Sequence, residues 1–78
     1  MATDCRARPA HKRLVSILIR ERRRRGWRQI EVAKLLGRSQ TWIARIESGE
    51  RRIDICEFHD FAKLYEMDPL KLWARIIS

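Results

Sequence analysis

The stretch that most constrains this chain is Gln29 to Glu47, QIEVAKLLGRSQTWIARIE. Its spacing predicts two short helices joined by a tight turn, one over 29–36 and one over 40–48. Gly37 stands at the join, where a helix ends in a backbone conformation that costs glycine least. Ser39 precedes the second helix, and its hydroxyl can accept a bond from a helix N–H that otherwise lacks a partner. Val32, Ala33 and Leu36 form one apolar stripe, and Ile43 with Ile46 forms another at helical spacing. Small Ala33, one turn before Gly37, lets the two helices approach closely. The rule leaves Gln40, Thr41, Ala44 and Arg45 on the outer side of the second helix.

A short turn between steeply crossing helices, with hydrogen-bonding side chains aimed outward, is the form of a helix-turn-helix. Charge agrees with a polyanionic partner. The 78 residues carry a net charge of +8 and a pI near 10.8. Residues 1–52 hold 15 Lys/Arg against 5 Asp/Glu, while residues 53–78 hold 3 against 5. A basic front and a slightly acidic back suit a domain with one face toward phosphate. The length supports one small domain. No apolar run approaches the roughly 20 residues that span a bilayer, and the N-terminus shows no signal-peptide core. We therefore expect a cytoplasmic protein without membrane contact.

The run LLGRSQTWIARIESGERRIDICEF, preceded by RERRRRGWRQIEVA, resembles the Cro/CI-type (XRE) helix-turn-helix transcriptional regulators. Ala33, Gly37, Ile43, Ile46, the Ser39-Gln40 pair, Gln29 and the run from Ile46 to Arg52 stand where that family's pattern places them. The similarity spans roughly Leu14 to Trp73. It implies an all-α fold, a compact five-helix lambda-repressor-like DNA-binding domain. Arg28 departs from the pattern, which has Ser or Thr as cap there, and Trp42 is bulky for its position. The resemblance also implies that Arg22 pairs with Glu47, tying the first helix to the third, and that Gln29 contacts a phosphate.

Taken in order, Met1 to Ala10 reads as a mobile basic N-terminal arm. Residues 11–78 read as a single helix-turn-helix DNA-binding domain ending in a dimerisation helix. A first helix is expected from His11 to Arg25, with Leu14, Val15, Leu18 and Ile19 facing inward. Four consecutive arginines, Arg22 to Arg25, must point around the whole helix, so they cannot share one groove. Apart from Arg22 they read as a solvated face. Trp27 reads as core. Gln40 can pair in two places with adenine and Arg45 with guanine, while Thr41 can bond or set its methyl against thymine. The resemblance assigns the same three positions to the groove. Trp42 is expected to pack toward the first helix or lie along the DNA backbone. Gln29 sits at a positive helix end, where backbone N–H groups also converge. Arg28, Arg38, Arg51 and Arg52 join it as phosphate contacts.

Asp54 to Glu57 reads as a capping box for a fourth helix, with Ile55, Phe58, Phe61, Ala62 and Tyr65 inward. Asp68-Pro69 opens a fifth. Its Leu70, Leu72, Trp73, Ile76 and Ile77 exceed what one small core needs. Leu70, Trp73, Ile76 and Ile77 are therefore expected to meet a second copy. Cys56 reads as buried and Cys5 as an exposed thiol. Neither belongs to a metal-ligand pattern, so no metal and no cofactor are expected. No catalytic constellation stands out, and an enzyme is not expected. The reading is a sequence-specific regulator, a repressor, binding a palindromic double-stranded operator as a homodimer. The alternatives are a protein-interaction module of the same fold, as an antitoxin or adaptor, or a nonspecific nucleic-acid binder. A further protein partner stays open.

Overall fold

Clear helix starts and stops punctuate the chain, and the computed structural model, which describes residues 4–78, follows them. A 3-10 turn, Cys5–Ala7, precedes five helices: α1 Pro9–Arg24, α2 Gln29–Leu36, α3 Gln40–Glu47, α4 Ile55–Leu64 and α5 Pro69–Ile77. There is no strand among the described residues. Each start has a local cause. The Ser39 hydroxyl accepts the Trp42 N–H at 3.1 Å. Asp54 and Glu57 cap each other's backbone N–H at 2.8 and 3.0 Å. Asp68 accepts the Leu70 N–H ahead of Pro69. Gly37 ends α2 in the left-handed region, φ 67°.

Arg28 opens α2 with half a capping box. The Glu31 carboxylate accepts the Arg28 N–H at 2.9 Å and its Nε at 3.3 Å. Arginine has no acceptor to return the bond.

Leu14 and Leu18 of α1, Val32 and Ala33 of α2, and Ile43 and Ile46 of α3 meet Phe61, Ala62, Tyr65, Leu72 and Ile76 in one core. Each fully buried Leu or Ile contributes about 1.5–3 kcal/mol relative to exposure. α2 and α3 pack mainly on each other, while α5 closes against α1 and α4.

The structure corrects several expectations. α1 begins at Pro9, whose fixed φ suits a first helical position, so it takes in Ala10. Asp4 to Arg8 form a capped turn, and Arg6 donates to the Glu50 carbonyl. The arm's Met1 to Thr3 lie outside the described residues. Ile17 is buried, and Ile19 is half-buried. Cys56 is exposed, since five residues place it about 140° around the helix from Phe61. Ile55 is 83% exposed although its spacing is right. It stands in the first turn of α4, beside an open groove rather than under another helix. Ile76 is buried in its own chain's core, which removes it from any surface offered to a second copy.

Candidate nucleic-acid interface

α3 displays Gln40, Thr41 and Arg45 on its exposed side and turns Ile43 and Ile46 into the core. The display is held from beneath by a chain of polar bonds. Arg22 of α1 donates from Nε and Nη2 to the two oxygens of Glu47, at 2.7 and 2.8 Å. Both side chains are 11% exposed, so this forked pair is strong in energy and in geometry. Arg22 Nη1 also donates to the Trp27 carbonyl at 2.9 Å. Gln29 Nε2 donates to Glu47 Oε1 at 3.0 Å, and Gln40 Nε2 donates to Gln29 Oε1 at 3.0 Å.

The direction of this chain follows from its anchor. A carboxylate held by arginine only accepts, so Gln29 presents its NH2 to Glu47 and its oxygen to Gln40. Gln40 must then present its own NH2. One N–H of Gln40 is used, and its second N–H and its oxygen are left for an outside group. Adenine in the major groove asks for one donor and one acceptor.

A second group surrounds Trp42. Its ring lies nearly parallel to Phe61 of α4, with centroids 5.8 Å apart and an interplanar angle of 4°. The Arg38 and Arg51 guanidinium carbons stand 4.8 and 5.4 Å from the Trp42 centroid. Trp42 thus packs on α4. Arg38 immediately precedes the cap of α3, and Arg51 follows its end. The Arg51 N–H also donates to the Arg45 carbonyl at 3.1 Å. Arg52 is exposed, as is Arg28 beside Glu31.

The arginine run is less solvated than expected. Glu21 takes Arg24 at 2.7 Å and Arg25 at 2.6 Å, which hold its carboxyl below the usual glutamate range, Arg24 first. Arg25 stacks over Trp27 and Tyr65 and donates to the Tyr65 carbonyl at 2.8 Å. Arg20 and Arg23 are exposed.

Two residues were missed from sequence. Glu57 is buried and accepts Arg51 Nη1 at 2.9 Å. Its place in a capping box was visible, but its partner 6 residues earlier was not. His11 is buried, and its Nε2 accepts the Ile53 N–H at 3.0 Å. Burial lowers the pKa of this imidazole, so the neutral ring that can accept is favoured. Among the described residues, no group of three or more His, Cys, Asp or Glu side chains could hold a metal ion, and no helix is long and apolar enough to cross a membrane.

Comparison with known proteins agrees with this geometry. A family model described as a helix-turn-helix domain matches residues 14–72. The chain also resembles a solved structure described as an XRE-family like protein from Pseudomonas syringae pv. tomato str. DC3000. That similarity has 34% identity and a TM-score of 0.77, covering 86% of this chain and 82% of that one. This chain belongs to the XRE-type helix-turn-helix family. No curated protein matches it. It is thus a helix-turn-helix DNA-binding domain, of a kind that is typically not enzymatic.

Proposed function

We propose that this protein is a sequence-specific transcriptional regulator, a cytoplasmic repressor that binds a palindromic operator as a homodimer. The observation that carries the reading is the bond chain Arg22–Glu47–Gln29–Gln40, which fixes a base-reading side chain on an exposed helix. Gln40, Thr41 and Arg45 read bases, with Arg45 bidentate to guanine. Arg28, Gln29, Arg38, Arg51 and Arg52 meet phosphates. In Gln29 the side-chain oxygen and one N–H are already bonded inward, so its backbone N–H and second amide proton serve this role. Repression is the action that occupancy alone performs.

The homodimer rests on a different surface, that of α5. Leu70, Trp73 and Ile77 of α5 are 79%, 52% and 52% exposed. They border an apolar groove of about 730 Å³ that reaches Leu14, Ile55 and Phe58. A second copy seated there would cover these groups and place two α3 helices on one duplex. The monomer extents of 37 × 25 × 20 Å suit half-site centres roughly 34 Å apart.

The same apolar face is the one observation favouring a second reading, a protein-interaction module. Selection from randomised duplex DNA at physiological salt separates the two. An enriched palindrome with half-sites about one turn apart is the expected result. Retention without an enriched motif would mean nonspecific nucleic-acid binding, and no retention would favour the interaction module.

A further inference from the structure

Trp42 packs against the core, yet its indole carries an unmet polar group. Its Nε1–H is buried and has no hydrogen-bond partner, a cost that phenylalanine would avoid. What the larger ring adds is an extended π surface close to two guanidinium groups, those of Arg38 and Arg51. Cations over an indole face are attracted by its quadrupole. These two belong to the turns on either side of α3, one just before its cap and one just beyond its end.

Glu57 lies under the same pair. It is 4% exposed at its side chain, and its Oε1 accepts Arg51 Nη1 at 2.9 Å and the Asp54 N–H at 3.0 Å. Its Oε2 stands 3.9 Å from Arg38 Nη2. Arg51 Nη1 also donates to the Arg52 carbonyl at 3.2 Å. A buried carboxylate thus faces both arginines, whose side chains remain 45% and 38% exposed.

We infer that Trp42 and Glu57 are positioning residues for DNA backbone binding. Together they hold Arg38 and Arg51 as a two-pronged clamp on phosphates flanking the recognition helix. The inference rests on the DNA-binding reading and adds the two residues that organise its charge. Neither touches DNA in this scheme. Both act through the arginines, whose remaining N–H groups are left for a phosphate. A free arginine must order its long side chain on binding, whereas a pre-stacked one has already lost that freedom.

The test uses the full chain and a short duplex of mixed sequence, because phosphate contacts are sequence-independent. Trp42→Phe is expected to melt at the same temperature or higher, since the orphaned N–H is gone. It should nevertheless bind duplex several-fold more weakly, with the salt slope reduced by about one. A role in packing alone would not separate these two readouts. Glu57→Gln keeps an acceptor for the Asp54 cap and removes a negative charge. Simple electrostatics makes that variant bind duplex more tightly, while positioning makes it bind several-fold more weakly. Wild-type affinity and slope in both variants would overturn the clamp.

The free protein gives an independent readout. In proton–nitrogen NMR spectra, the side-chain N–H signals of Arg38 and Arg51 should be displaced by the indole ring current and should relax in Trp42→Leu. Undisplaced signals would overturn the stacking itself. Displaced signals in a protein that does not retain duplex would overturn the DNA reading and the clamp's purpose with it, leaving a structural sandwich.

Discussion

The α3 face and the α5 face are both exposed, but they are made in opposite ways. On α3 and in the turns beside it the outward groups are polar, and several are held by neighbours: Gln40 by Gln29, Arg51 by Glu57, Arg38 by the Trp42 ring. On α5 the outward groups are Leu70, Trp73 and Ile77, whose role is area rather than direction. Trp73 meets Phe58 nearly at a right angle, with ring centroids 6.4 Å apart. A base-reading surface must set donors and acceptors within tenths of an ångström, so it needs supporting polar bonds. An apolar surface needs shape and burial, and it can leave its members free until something covers them.

The sharpest way to break this contrast is Glu47→Ala. It strands the Arg22 guanidinium and unties Gln29. Loss of one partner from a buried pair costs about 3–5 kcal/mol. Since both side chains keep 11% exposure, the lower end, about 3 kcal/mol, is expected from urea unfolding. A loss below about 1 kcal/mol would mean that the α3 face does not depend on its support.

Trp73→Asp addresses the other face. Covering a large apolar side chain contributes about 1.5–3 kcal/mol, so the variant should sediment as a monomer while its own fold melts nearly unchanged. Sedimentation identical to wild type would reject α5 as the dimer surface. Arg45→Ala should cost about 1–3 kcal/mol at one operator position and relax preference there. Equal loss on every sequence would make Arg45 a phosphate contact.

The smallest effect concerns the loop between the faces. His11 accepts the Ile53 N–H only while neutral, and burial lowers its pKa from the ordinary 6.5. The unfolded chain therefore takes up this proton first as pH falls. Stability should be level above pH 6.5 with respect to this group and decline below it, until the folded-state pKa is passed. His11→Gln, which accepts without titrating, should remove that part of the slope in thermal melts across pH 5–7. A slope unchanged by the substitution would assign it to other groups.

The two faces also differed in how far they could be read from sequence. Caps are local, so Ser39, Asp54, Asp68 and Gly37 announced four helix boundaries within a few residues of each one. The apolar stripes of α2 and α3 were equally plain. The stop of α4 was not, because Glu66 takes the left-handed conformation at φ 55° without being glycine. Periodicity gives the direction a side chain leaves its helix, but not what lies there. Ile55 has no helix over it and Ile76 does, so spacing alone gives the burial of neither. The Arg22–Glu47 pair came from resemblance alone, since 25 residues separate the partners. Glu57 and His11 carried no signal of burial, because their partners lie on other elements.

The bond chain beneath α3 bears on how such a protein could change its target. Gln40 is the last link of a unit that begins at Arg22, so replacing it also releases Gln29 and alters the surroundings of Glu47. On the proposed reading, a single exchange at Gln40 therefore disturbs the platform along with the base contact. Retargeting by one substitution at a time should show strong epistasis among these four positions. Grafting all of them together should transfer preference more cleanly than moving α3's outward residues alone.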